Sequence, residues 1–347
     1  METKIPLIGK TLAELEQVAA EVGMPKFAAK QMADWLYKKR VARIADMSNL
    51  SVKHREALES CYCIGLSAPT NVQTSKDGTR KYLFEVVGKK QGSIEAVAIP
   101  DGERTTLCVS SQAGCKMGCT FCMTARMGFL QSLTSAEIIN QIFSVSESAQ
   151  LSNLVFMGMG EPLDNLDNVL KSLEIITAPW GMAWSPTRVT VSTIGVQPAL
   201  QRFLSESKCH LAVSLHAPFA GERRELMPMQ KAYPIDETID LIRRYDWTGQ
   251  RRVSFEYIMF AGVNDTPRHT AALAKMLGDF ECRVNLIRFH QIPDSPLRGS
   301  SMPVVEKFKE MLLRQGVNTT IRASRGEDIL AACGMLSTAK KLAANNS

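Results

Sequence analysis

The sequence predicts an α/β protein whose parallel strands form a partial six-stranded barrel or an open doubly wound sheet, preceded by a small helical domain. Three observations carry this. Six short β-rich runs recur from residue 105 onward with helix-like segments between them, the alternation that builds a parallel sheet. A full barrel needs eight such units and typically about 250 residues, so the barrel here is incomplete. The 347 residues exceed one average domain, and with 45% hydrophobic residues they can bury a core of native size.

In chain order, residues 1–65 read as helical. TLAELEQVAAEV places Leu12, Leu15, Val18 and Val22 at helical spacing. From Lys26 to Arg43, six cations (Lys26, Lys30, Lys38, Lys39, Arg40, Arg43) face one acid, Asp34, with Trp35 and Tyr37 interleaved. This is read as a basic helix suited to RNA contact or to plain solvation. Residues 66–100 form a β-rich connecting segment of three strands, with turns at Asp77-Gly78 and at GKKQG. The core, 101–328, holds the runs 106–111, 153–158, 188–193, 211–216, 253–260 and 283–289. Helices are expected near 135–148, 165–178, 197–206, 236–247, 266–280 and 303–316, the first opened by a Thr134/Glu137 capping box. The tail, 329–347, carries Cys333, with Gly334 as a helix cap.

Polar and special residues follow the strand ends: Cys115, then Gly158 to Pro162, Ser192 and Thr193, Ser214 and His216, and His290. In parallel α/β folds that edge binds ligands. No apolar run is long enough to span a membrane, and the N-terminus lacks a secretory pattern, so a cytoplasmic protein is expected. Nine cysteines, an odd count, argue against a disulfide framework. A net charge of +6 is compatible with a polyanionic partner.

CKMGCTFC gathers Cys115, Cys119 and Cys122 on a loop leaving the first core strand. Three thiolates in eight residues can bind zinc or an iron–sulfur cluster. Structural zinc wants four protein ligands, and no second C-x-x-C exists. A [4Fe–4S] cluster held by three cysteines leaves one iron open to a substrate. Glu95 lies on a largely apolar strand, on a face with Val97 and Ile99. Such a carboxylate is expected to have a raised pKa, which suits a general base. An edge-strand glutamate facing solvent is the plainer reading. Cys108 in its strand and Cys333 in its tail read, by pattern alone, as packing residues.

The three-cysteine motif after the first strand of a six-fold repeat resembles the radical S-adenosylmethionine (SAM) superfamily. LCVSSQAGCKMGCTFCMTARMGF, VFMGMGEPLDN, VSTIGV, VSLHAP, FEYIMFAGVND and RGEDILAACG resemble, more narrowly, the RlmN/Cfr family of RNA methyltransferases. The resemblance implies a partial (β/α)6 barrel of radical SAM type. It implies a [4Fe–4S] cluster on Cys115, Cys119 and Cys122, and SAM held by Gly160, Glu161, Ser192, Ser214, Leu215, His216 and His290. His290 stands where many members have Asn.

It further implies two SAM consumed per turnover. Cys333 takes a methyl from one, and a radical made from the other takes hydrogen from that methyl. The resulting carbon joins the base, and Cys108 resolves the adduct through a transient disulfide with Cys333. Glu95 removes the proton. The implied substrates are an adenosine at the peptidyl transferase centre of 23S rRNA and the adenosine 3′ of the anticodon in some tRNAs, methylated at C2. An electron donor such as flavodoxin, a monomeric state and no membrane partner are also expected. The rivals are Cfr-like methylation at C8 and a non-catalytic RNA-binding protein whose cysteines hold structural zinc.

Overall fold

The computed structural model describes residues 4–86, 92–248 and 252–336. The helical unit opens on β1 (Ile5–Pro6) and closes on β2 (Tyr62–Cys63), which pair in parallel. Between them lie α1 (Leu12–Glu21), α2 (Ala28–Ala33) and α3 (Val52–Cys61). Thr11 and Glu14 form a reciprocal cap on α1, and Leu15, Val18 and Ala19 bury its apolar face.

The continuous basic helix expected over 26–43 is broken. α2 ends at Ala33, one π-type turn follows (Asp34–Lys38), and Arg40 takes a left-handed φ of 54°. Local pairing absorbs much of the charge. Lys26 pairs with Glu16 at 3.1 Å, Lys39 with Asp34 at 3.4 Å, and Arg43 with Asp46 at 2.7 Å. Lys39 also lies over the Trp35 ring, and Tyr37 is buried. Arg40 donates to the Ser148 carbonyl and hydroxyl and stacks on Phe143, tying the unit to the core.

β3 (Asn71–Thr74), β4 (Arg80–Val86) and β5 (Gly92–Asp101) form an antiparallel meander, and β5 pairs antiparallel with β6 (Arg104–Cys108). The connecting segment thus belongs to the same sheet as the core. Asp77-Gly78 makes the first turn, with Gly78 at φ 84° and the Thr79 N–H donating to Asp77 Oδ1 at 2.9 Å. The second turn, at GKKQG, lies outside the described residues apart from Gly92.

β7 (Gln112–Gly114) and β8 (Phe129–Ser132) pair across the cysteine loop and the short α4 (Met123–Arg126). α5 (Ser135–Phe143) follows, with the expected Thr134/Glu137 box. From β6 the parallel run continues through β9 (Asn153–Phe156), β10 (Val189–Thr193), β11 (His210–Ser214), β12 (Val253–Met259), β13 (Arg283–Arg288) and β14 (Thr319–Ile321). Its connections carry α6 (Leu166–Thr177), α7 (Ala199–Glu206), α8 (Ala220–Leu226), α9 (Ile235–Arg243), α10 (Pro267–Leu277) and α11 (Met302–Arg314).

All six expected parallel strands are present. β14 adds a seventh, too short at three residues to stand out by periodicity, and α8 was likewise not foretold. The sheet stays open, with β3 and β14 as its edges, which makes the barrel partial. The register puts Lys81 opposite Val97, Val97 opposite Cys108 and Cys108 opposite Val155. Facing partners share a sheet face, so Glu95, two residues before Val97, looks the same way as Cys108. Among the described residues no helix is long and apolar enough to cross a membrane.

Candidate active site

The cysteine loop is held by close backbone approach. Gly114 takes φ 75°, and a Cβ there would sit 1.8 Å from the Gly128 carbonyl oxygen. Cys115, Cys119 and Cys122 all line one cavity of about 150 Å³. Burial pushes the Cys115 thiol up to about 12 and the Cys119 thiol well above its ordinary value. A bound metal group would make these thiols ionise at neutral pH. Among the described residues no three His, Cys, Asp or Glu side chains converge on a point where a single ion could sit. A cluster spreads its thiolates over separate irons, so three cysteines around one cavity fit a [4Fe–4S] cluster better than a zinc ion.

The opposite wall comes from strand C-terminal ends: Gly158, Gly160, Glu161, Ser192, Ser214 and His216. Gly160 sits at φ 95°, with Gln112 Cβ 2.4 Å from where its own Cβ would be. Only glycine fits that turn. Glu161 is buried, and its two oxygens accept from the Leu163 and Ile194 N–H groups, each at 3.1 Å. Burial nevertheless raises its pKa to about 7. His216 has a left-handed φ of 56° and packs edge-on to Phe121. Its Nδ1 accepts from the Ile258 N–H, so the neutral ring carries its proton on Nε2. Burial and the Arg223 charge hold its pKa down near 3. Asn264 fixes this turn by donating to the His216 and Ile258 carbonyls, both at 2.7 Å.

Two expected SAM contacts, Leu215 and His290, are not among the residues lining this cavity. The Leu215 side chain is buried. His290 lines a second cavity, of about 250 Å³, and pairs with Ser324 Oγ at 2.8 Å.

That second cavity also holds Cys108. The two cavities share Met157, Ile287, Arg322, Cys333 and Leu336 as walls. Cys333 is reached not by the expected helix but by a short 3-10 turn, Glu327–Ile329, after which Leu330 adopts a left-handed φ of 53°. The segment is strapped to α4: the Met123 N–H donates to the Gly334 carbonyl, and Thr124 Oγ1 to that of Leu336. The expected disulfide is absent, since Cys108 and Cys333 are both free. Burial pushes the Cys108 thiol up to about 12, which keeps it protonated in the resting protein, while Cys333 is exposed.

Glu95 is buried but lines neither cavity. Nor is it a lone carboxylate, because the buried Lys81 Nζ lies 3.3 Å from Oε1. Two residues escaped the sequence reading. Arg322, just after β14, pairs with Glu256 at 3.2 Å, and both line the cluster-side cavity. The signals were an acid in the middle of VSFEYIMF and the β-branched run TTI before an arginine.

Thiols on one wall and hydrogen-bonding groups suited to an amino acid on the other, at the open end of a partial parallel barrel, define the radical SAM class. The Radical SAM superfamily model accordingly matches residues 109–274, and that of the ribosomal RNA large subunit methyltransferase N-terminal domain matches residues 5–64. A Parabacteroides distasonis protein named "Probable dual-specificity RNA methyltransferase RlmN" is 57% identical over 99% of both chains. The Syntrophus aciditrophicus "Dual-specificity RNA methyltransferase RlmN" is 40% identical over 96% of this chain and 97% of its own. A crystal structure of a radical SAM methyltransferase from Sphaerobacter thermophilus superposes with a TM-score of 0.89 at 37% identity, over 96% of this chain and 99% of that one. The chain belongs to the RlmN family.

Proposed function

We propose that this protein is a radical SAM methyltransferase that places a methyl group on C2 of an adenosine in 23S rRNA and in some tRNAs. The relatives named above, called dual-specificity RNA methyltransferases, support an RNA substrate. The observation that carries the reading is the position of Cys333, in the wall common to the cluster-side cavity and the Cys108 cavity. A methyl carrier must meet both the SAM site and the substrate.

Cys115, Cys119 and Cys122 would hold the cluster. Glu161 and the Gly160 turn receive the SAM amino group, with Ser192, Ser214 and His216 around the rest. Bound cluster and SAM together supply a one-electron cleavage that yields a carbon radical. Cys333 first displaces the methyl of one SAM: an S–C bond forms, the sulfonium S–C bond breaks, and the thiol proton leaves. Arg322 lies close enough to favour that thiolate. Once a hydrogen atom is removed from it, the methyl carbon on Cys333 would bond to adenine. Glu95 then takes the C2 proton, for which the incoming base must open its ion pair with Lys81. The adduct gives up one electron, which would return to the cluster. Cys108 then loses its proton and attacks the Cys333 sulfur, so that an S–S bond forms, the S–C bond to the RNA breaks and the freed carbon takes up a proton. A thiol reductant reopens the disulfide for the next turnover.

Two SAM are used, one as methyl source and one as radical source. A flavodoxin-like carrier meets the one-electron demand. The protein acts as a monomer in the cytoplasm, where rRNA and tRNA are found. Exposed Lys26, Lys30, Lys38 and Lys39 of the helical unit contact the RNA backbone. The test is nucleoside mass spectrometry of rRNA and tRNA from a deletion strain with and without the gene restored. 2-Methyladenosine should return with the gene; 8-methyladenosine, or no change, overturns the reading. Cys333→Ala should give no product, while Cys108→Ala should leave RNA covalently attached.

A further inference from the structure

Arg223, on α8, is 1% exposed. Among the described residues its hydrogen-bond partners are all neutral. It donates to the carbonyls of Leu215 (3.1 Å), Ile194 (3.1 Å), Ser214 (2.9 Å) and Tyr233 (3.5 Å), and to Gln230 Oε1. Among the described residues no carboxylate lies within ion-pair distance of it; a cation so far removed from water is costly, and hydrogen bonds to carbonyls offset only part of that. It remains charged at neutral pH, since burial lowers its pKa only to about 10. Ile194 and Ser214, whose carbonyls it holds, both line the cavity of the three cysteines. α8 is also docked on the cysteine loop: the Thr120 N–H and hydroxyl both donate to the Leu226 carbonyl, at 3.0 and 3.3 Å.

We propose that Arg223 is a positioning residue for reduction of the cluster: it supplies the fixed counter-charge of the three-cysteine site and holds the cluster's reduction potential up, while its guanidinium ties the ends of β10 and β11 to α8. This rests on the cluster assignment above. A [4Fe–4S] core with three thiolates is an anion, and one more electron makes it more negative. A fixed cation in a poorly screened site stabilises the reduced form more than the oxidised one. Arginine suits the place because its planar fork can reach several carbonyls at once, which a lysine cannot.

The test is a potentiometric titration, followed by electron paramagnetic resonance, of the anaerobically loaded full chain with dithionite as one-electron donor. Gln230→Glu is the key variant. Its Oε1 can still accept from Arg223 and from the Ile235 N–H (3.1 Å in the parent), but it adds a carboxylate that pairs the cation. It should keep its iron, and its reduction should become about tenfold less favourable, a fall of about 59 mV for one electron. Arg223→Met should fall similarly, and Arg223→Lys should stay nearer the parent. A parent-like midpoint or loss of iron in Gln230→Glu overturns the proposal, as does a midpoint for Arg223→Met equal to that of Arg223→Lys. If the Arg223 variants do not fold, Gln230→Glu decides alone. A parent protein without iron would instead refute the cluster assignment, a different outcome from an unmoved potential.

Discussion

At Glu161, burial outweighs the hydrogen bonds from Thr193, Ile194 and Leu163 and lifts the carboxyl to about 7. The folded protein therefore holds this proton more tightly than the unfolded chain, whose glutamate titrates near 4.3. The stability this confers is full below the unfolded pKa and is lost as pH rises through about 7. Glu161→Gln cannot ionise, so in SAM-free protein it should gain on the parent by on the order of 3 kcal/mol between pH 4 and pH 8. Urea unfolding across that range measures this, and parallel stability curves would refute it. The same variant should bind SAM at least tenfold more weakly, because the amino group loses its charged partner. Little of this was legible in the sequence: Gly160-Glu161 after a strand marked a ligand edge, but the degree of burial is set by the turn at Ile194, some thirty residues away.

At the scale of elements, the segment carrying Cys333 is fastened at its root. The Gly326 N–H donates to Asp77 Oδ2 at 2.9 Å, Ser75 Oγ to Asp328 at 2.5 Å, and the Lys76 N–H to Asp328 at 3.2 Å. The β3–β4 turn thus anchors the strap that presents the methyl carrier. Asp77→Ala removes the acceptor for two backbone N–H groups and should cost about 1–3 kcal/mol of local stability. Limited proteolysis should then cut near residues 326–336 and RNA methylation should fall, while iron content and SAM cleavage persist. Proteolysis unchanged from the parent would show that the anchor is not needed. The Asp77-Gly78 hairpin was readable from its dipeptide. That the turn meets RGED could not be read, because the contact joins segments about 250 residues apart. The expected helix at Cys333 does not form either: the chain before it makes only a 3-10 turn, which Leu330 ends in a left-handed φ of 53°.

For the whole molecule, the helical unit is fixed to the core by several contacts. Arg40 reaches Ser148, Lys171 pairs with Glu14, and Ser135 Oγ donates to the Gly9 carbonyl at 2.7 Å. Arg40 is therefore the wrong residue for testing RNA contact, since its loss would loosen docking. Changing Lys26, Lys30, Lys38 and Lys39 to Glu should weaken RNA binding tenfold or more and flatten its salt dependence, while RNA-free SAM cleavage is spared. RNA affinity equal to the parent's would remove this surface from the interface. The sequence by itself determined the strand–helix alternation, the six main parallel strands, the capping box on α5 and the three-cysteine loop, because periodicity, caps and ligand spacing are local. Only the tertiary structure decided that Cys333 stands between two cavities, that Glu95 is paired with Lys81, that Leu215 and His290 are not among the residues lining the cluster-side cavity, and that Arg223 is a buried cation held by carbonyls. These depend on which strand ends converge at the open edge of the barrel, and the packing of the whole sheet sets that convergence.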